Sequence, residues 1–543
     1  VLDPRHPEAY RMRTVLVLLA ILSISSHAQT TAAPKSFVIA DVHASPFTSN
    51  PFMHGNSIQG DRYFLTQATM AELIATAYGV DVANVQGGPT WLERDHYDIR
   101  AKVPPNTTQE DVKLMLRALL ADRFHLVVKT ATAPVPTYVL SAGSGKPKMT
   151  ESEGSGDGSC VPLPPPPNNP PGAPIYVSAN CKHLTMPALA DTLHNFAGGY
   201  LDQPVVDETN VAGAWDFTIK WTPRNLLEKQ GADGISIFAA VEKQLGLKLE
   251  LKTAPRPVFQ VASVDATPTP NVANIDQALP EPPAAPFDVT VIKPSAPDEK
   301  GYGRITGNQV ETRAIPLRFL INFAWDINPN NKEGIANAPK WLDDSKFDIT
   351  AKAGANVRVD KFSSASLINY EDLRSMMRAM ISERFQMKWH MEDRPITAYT
   401  LVAANPKLKP TTDPTERTKC KEGPGPDGKD PRVANPILNR LLTCQNMTVA
   451  QIGDELQHVA NGYIYNTVID GTGLKGSYDF TLSFSSADKI LPTPGDAANS
   501  SDPNGALSVF DAVNKQLGLK LEKTKRSYPV LVIDHIEETP TEN

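Results

Sequence analysis

Tyr97-Asp98-Ile99-Arg100-Ala101-Lys102 returns 250 positions later as Phe347-Asp348-Ile349-Thr350-Ala351-Lys352, and this pair of stretches decides the fold. Working outward, the chain goes on saying everything twice. Pro89-Thr90-Trp91-Leu92 answers to Pro339-Lys340-Trp341-Leu342, and Phe37-Val38-Ile39-Ala40-Asp41-Val42 to Phe287-Asp288-Val289-Thr290-Val291-Ile292. Downstream the register drifts by insertion: Val205-Val206-Asp207 pairs with Val468-Ile469-Asp470, and Gln244 to Glu250 is identical to Gln516 to Glu522. A period this long is too large for a solenoid and fits a duplicated globular domain whose insertions fall in loops. The expected layout is a first lobe at 36–266, a Pro- and Ala-rich linker at 267–286, and a second lobe at 287–543.

A fainter repeat lies inside each lobe. Thr69-x-x-Glu72 has the form of a capping box, with Met70, Leu73, Ile74 and Ala77 at helical spacing behind it. Thr107-x-x-Glu110 opens a second helix, and Phe124 to Val128 and Thr137 to Leu140 read as two strands joined by a Pro-containing turn. The later half repeats this grammar: a helix from Thr185, an extended Ala214 to Lys220, a helix from Ile237 stopped by Gly246, then Leu247 to Leu251 and Val258 to Val261. The expected class is therefore α+β: two homologous lobes, each of two small subdomains in which a mainly antiparallel sheet carries helices on one face.

The net charge of −7 and the lack of a Lys/Arg block exclude nucleic acid and anionic membrane as expected partners. Arg11 and Arg13 precede the apolar run Val15 to Leu22 and then Ser26-His27-Ala28, the pattern of a secretory signal peptide spanning 12–28. Nothing else is apolar enough to span a bilayer, so a secreted or periplasmic location is expected. Four cysteines, Cys160 and Cys181 in the first lobe and Cys420 and Cys444 at matching places in the second, read as one local disulfide per lobe in an oxidising compartment. The Pro162 to Pro174 segment between the first two reads as a constrained surface loop rather than a polyproline ligand.

The duplication also filters candidate chemistry, because a catalytic residue required by both lobes must occur in both. His125 stands opposite Gln386, His194 opposite Gln457 and His390 opposite Lys129, which removes a shared zinc site or Ser-His-Asp relay. Asp95-His96-x-Asp98 fails as a metal cluster because His96 faces Lys346, and Ser486-x-x-Lys489 has no first-lobe partner. No cofactor or metal is expected. Carboxylates, arginines and aromatics survive: Asp98 and Asp348, Arg123 and Arg384, Asp207 and Asp470, Asp216 and Asp479, Trp91 and Trp341. The Asp residues sit where turns and caps are expected, the arginines where a cation complements a helix C-terminus and its last carbonyls, and the tryptophans where a core lid would lie.

Trp-Leu followed by (Tyr/Phe)-Asp-Ile-x-Ala-Lys, a helix ending Arg-Phe, Val-(Val/Ile)-Asp-x-Thr before Gly-x-(Trp/Tyr)-Asp-Phe-Thr, and Gln-Leu-Gly-Leu-Lys-Leu-Glu form one ordered set. In this set the chain resembles the soil-bacterial exported family built on the domain of unknown function 3738, over nearly its whole length and once per lobe. The resemblance implies no established activity. Some relatives carry the domain behind a membrane metallopeptidase of the antibiotic-sensor type, which implies sensing outside the cytoplasm; this chain has two copies and no peptidase. The expectation is a non-enzymatic binding or sensing module whose partner is another extracytoplasmic protein or envelope component, received at a sheet edge. The alternative is an exported hydrolase with two shared Asp residues as acid and base.

Overall fold

The computed structural model describes residues 35–542 apart from 47, 49–50, 144, 154–157, 164–173, 202, 281–285, 297, 355–367, 426–427 and 491–504. The expected signal peptide, most of the Pro162 to Pro174 loop and the 281–285 part of the linker lie outside the described residues.

Each lobe is α+β and mostly antiparallel, and the second reproduces the first. In the first subdomain the strands Ile39–Ala44, His96–Lys102, Arg62–Thr69 and His54–Gln59 lie side by side in that order, all antiparallel. The helices Met70–Tyr78 and Gln109–Phe124 complete a core of Tyr63, Leu73, Ile74, Tyr97, Leu116 and Phe124. In the second subdomain Thr150–Glu151, Ala214–Trp221, Val177–Thr185 and Ser159–Leu163 form the sheet, backed by Met186–Phe196 and the Ile237–Ala240 helix. The second lobe has the same two sheets and its own two cores, and each of the four buried clusters draws its residues from one lobe.

The helix starts follow from local chemistry. Thr69 accepts from the Glu72 N–H while Glu72 accepts from the Thr69 N–H, and Thr185 and Thr448 cap the matching helices of the second subdomains. The second helix begins one residue later than the Thr107 reading. Thr108 is its cap, closing a box with Asp111, and the Thr107 hydroxyl donates instead to the Pro104 carbonyl. Asp at the third position serves the box as Glu does, so both registers were open to the sequence.

A third sheet joins the two subdomains of each lobe, and here the strand–turn–strand reading is corrected. Val127–Ala142 and Leu247–Ser263 are unbroken strands that pair with each other along their whole length, flanked by the short parallel strands Val205–Asp207 and Val85–Gly87. Prolines are tolerated because of register. Pro134 faces Pro255, Pro136 faces Thr253 and Pro257 faces Thr132, so all four occupy the same alternate class of cross-strand pair. In that class the N–H points away from the partner strand, and over this stretch the ribbon has only two strands, so the missing donors cost no ladder bond. Lys388–Ala403 and Leu519–His535 repeat the arrangement, with Pro395 facing Ser527 and Pro529 facing Asp393.

Candidate functional site

The four Asp residues that follow strand aromatics perform one task. In each subdomain one sheet strand carries a bulge whose residue is in the left-handed region: Gln67 (φ 54°), His183 (51°), Ala314 (47°) and Asn446 (52°). The amide N–H of that residue donates to Asp98 at 2.8 Å, Asp216 at 2.8 Å, Asp348 at 2.9 Å and Asp479 at 2.8 Å respectively. A bulge leaves an amide outside the ladder, and a carboxylate on the neighbouring strand satisfies it. The His183 amide, with Lys182 and Ser152, holds the Asp216 carboxyl well below the usual range, at about 2. Burial opposes the same effect at Asp348, but hydrogen bonds from Ser295, Ala314 and Arg313 outweigh it.

The other shared residues also serve the backbone. Asp207 and Asp470 accept from the N–H two residues on, at Thr209 and Thr472, both at 2.8 Å. Trp91 and Trp341 are half-buried against their cores. Arg123 and Arg384 end their helices and reach past them to a following segment. Arg123 donates to the Thr269 carbonyl and hydroxyl and to Asn271; Arg384 donates to the Thr541 carbonyl and hydroxyl. Thr267-Pro268-Thr269 and Thr539-Pro540-Thr541 are thus one motif, a strap that leaves the last strand and is held by the helix-end arginine. Cys160 faces Cys181 and Cys420 faces Cys444 across adjacent antiparallel strands, each pair at disulfide-bonding distance. Ser486 donates to Asp488, which also pairs with Lys489, so serine and lysine both turn to one carboxylate. Among the described residues no group of three His, Cys, Asp or Glu is placed to hold a metal ion.

A cleft with convergent polar groups lies elsewhere, between the two subdomains of the second lobe. It has a volume of about 290 Å³. The helix Leu317–Ala324 contributes Phe319, Asn322 and Phe323, the helix Tyr370–Arg384 contributes Arg374, and the end of Val449–Val459 contributes Gln457 and His458. Asn322 is 5% exposed and Gln457 7%, yet neither side-chain amide has a hydrogen-bond partner among the described residues. Both carboxamides open onto the cleft, so their polar ends are reachable by water or a ligand while the rest of each residue is buried. The Arg374 guanidinium, also 5% exposed, donates to Asp326 and Glu371, each at 2.7 Å. Burial, together with the charges of Arg94 and His96, lowers the His458 imidazole below its ordinary value.

The matching place in the first lobe is bridged by an ion pair. Counting from the caps Thr185 and Thr448, His194 corresponds to Gln457; counting from Met70 and Leu317, Ala75 corresponds to Asn322 and Asp81 to Asn328. His194 Nε2 lies 3.2 Å from the Asp81 carboxylate, tying the two subdomains together. The cleft residues are present in one lobe only, so the requirement for a shared residue passed over them. The signal that could have found them is a carboxamide at an apolar-face position, Asn322 beside Leu320, Ile321 and Ala324.

The first lobe reaches the rim of this cleft. Thr48 donates to Asp326 at 2.9 Å and accepts from Arg374 at 3.3 Å. Arg94 pairs with Glu455 of the Val449–Val459 helix at 3.0 Å and donates to its Gln451 carbonyl, and elsewhere between the lobes Arg417 pairs with Glu93 at 2.6 Å.

The family described as "Protein of unknown function (DUF3738)" matches residues 71–264 and again 318–536, one copy per lobe, and the chain belongs to it. No curated protein and no solved structure matches the chain.

Proposed function

We propose that this tandem member of the family is an exported, non-enzymatic binding or sensing module whose second lobe holds a small molecule in the cleft beside Asn322 and Gln457. The observation that carries the reading is that two largely buried residues, Asn322 and Gln457, turn carboxamides with no protein partner among the described residues onto one open cavity. Divergence between the copies supports it: the first lobe bridges the matching place with an ion pair, as expected of a copy kept for architecture. Export accords with the cysteine pairs and with the signal-like segment at 12–28. No helix among the described residues is long and apolar enough to cross a membrane.

Paired-Asp hydrolysis receives no support from the geometry, because each shared Asp is occupied by a backbone amide and none lines the cleft. Docking of an envelope protein at a sheet edge has one observation in its favour. The edge strand Ser159–Leu163 leaves Val161 58% and Leu163 43% exposed.

Two measurements test the proposal. Alkaline phosphatase fused after residue 46 should be active only if the leader directs export; an inactive, cytoplasmic fusion removes the location. A thermal-shift screen of the full mature chain against a metabolite library should find compounds that raise the melting temperature of the parent but not of Gln457→Leu. A screen with no such compound removes the binding site.

A further inference from the structure

The chemistry of the cleft restricts what can occupy it. Charge comes first. Of the charged groups that line the cleft, Arg374 is paired with Asp326, so the lining carries no net charge and an anionic ligand would meet a carboxylate beside the guanidinium. A cationic ligand would be held against the guanidinium. With the His458 imidazole neutral near pH 7, the cavity favours an uncharged ligand.

The hydrogen-bonding groups come second. A carboxamide offers an acceptor oxygen and a donor nitrogen side by side, and Asn322 and Gln457 bring two such pairs to one small space. Hydroxyl groups, which donate and accept at once, complete both ends of each amide. The apolar groups come third. Phe319 and Phe323 are one turn apart on the same helix face, Phe319 is 51% exposed, and Ile464 is fully buried behind the cleft. Aromatic rings of this kind cover the C–H face of a saturated ring. A volume of about 290 Å³, at the low end of ligand cavities, accommodates roughly one such ring.

We propose that the second-lobe cleft recognises a single uncharged polyhydroxylated ring, a monosaccharide or cyclitol, with Asn322 and Gln457 binding its hydroxyls and Phe319 and Phe323 packing on its C–H face. The assignment rests on the reading of this cleft as a binding site and adds the ligand class.

The test is calorimetric titration of the full mature chain with four probe classes. These are D-glucose, D-galactose and myo-inositol as neutral polyols, L-glutamate and citrate as anions, putrescine as a cation, and N-acetyl-L-alanine amide as a neutral amide. Saturable binding of at least one polyol is expected, with affinity falling tenfold or more in Gln457→Leu and in Asn322→Leu and severalfold in Phe319→Ala. Phe319 is exposed, so its truncation leaves folding intact and keeps the test sound if the buried variants misfold. Binding of an anion, cation or amide that depends on Gln457, with no polyol binding, overturns the ligand class and leaves the binding site standing. Polyol binding indifferent to all three substitutions places the sugar elsewhere and overturns the assignment. No saturable binding in any class, together with an empty thermal-shift screen, overturns both.

Discussion

His194 Nε2 and the Asp81 carboxylate, 3.2 Å apart, bridge in the first lobe the place where Gln457 and Asn328 line a cleft in the second. Asp81 also accepts from the Ala83 N–H at 2.8 Å, and Asn328 accepts from the Asn330 N–H at 2.9 Å. The turn is therefore the same in both lobes, and only the cross-subdomain partner has changed.

This pair makes the first lobe pH-dependent. The hydrogen bond to Asp81 raises the His194 pKa from 6.5 against the opposing effect of burial, and Asp191 is a further carboxylate near the ring. Because the folded value is raised, its stabilisation is complete below pH 6.5 and is lost as pH climbs through the folded value. Burial would raise the Asp81 pKa, but His194 and the Ala83 amide lower it, so its share disappears only as pH falls below 3.8. His194→Gln should cost about 1 kcal/mol at about pH 5 to 6 and much less at about pH 9, measured by urea unfolding. A pH-independent difference would remove the ion pair from the account.

The bulge clamps set a different signature. Asp98 takes the Gln67 amide and the Ser45 hydroxyl, so Asp98→Ala should cost about 2 kcal/mol while Asp98→Asn keeps an acceptor and costs less than half of that. Asp348 and Asp479 should behave alike. Their depressed pKa values place the matching stability above the unfolded carboxylate range, to be lost as pH falls through the lower folded values, so Asn variants should flatten the acid limb of the melting curve. Ala variants that melt like the parent at neutral pH would make the bulge amides indifferent to these carboxylates.

The strap bears on where the first lobe stops. Arg123, 8% exposed, is tied to Thr269 and Asn271, and Leu279 is buried, so a fragment of residues 29–280 should melt clearly higher than 29–266. Both should unfold cooperatively without the second lobe, because each buried core belongs to one lobe. Equal melting of the two fragments would leave the strap without energetic weight.

Non-reducing peptide mapping should recover Cys160 linked to Cys181 and Cys420 linked to Cys444. Reduction should lower the stability of each lobe by about 3 kcal/mol on the chain-entropy view. A link between lobes would contradict the cross-strand register of both pairs.

Local elements were readable in the sequence because their causes are local. Thr69 with Glu72, and Gly246 in the left-handed region at φ 73°, mark their own helix ends. The joining ribbon was not readable, because prolines at 134, 136, 255 and 257 resemble turn signals until the partner strand's register shows them in one pairing class. The cleft was hidden for another reason. Repetition exposes what both lobes need for architecture, whereas Asn322 and Gln457 matter by departing from Ala75 and His194.

That departure can be reversed. Gln457→His together with Asn328→Asp transplants the first-lobe pair into the second lobe, where Gln457 lies on a helix of the same length and N-cap residue as that of His194. The carboxylate introduced by Asn328→Asp would keep the turn bond to the Asn330 amide and give up only the donation from Asn328 to the Asn461 carbonyl. The imidazole introduced by Gln457→His should reach that carboxylate as His194 reaches Asp81, closing the cleft from the Gln457 side. The double variant should gain about 1 kcal/mol at about pH 5 to 6, with the gain fading at alkaline pH as the imidazole loses its proton. The same variant should lose saturable binding of any ligand that depends on Gln457, while Asn328→Asp alone should retain it. Urea unfolding at two pH values and one titration read both effects. A double variant that binds as the parent does would show that Gln457 does not gate the cleft, and one that binds nothing yet gains no stability would show that the two lobes do not share this packing.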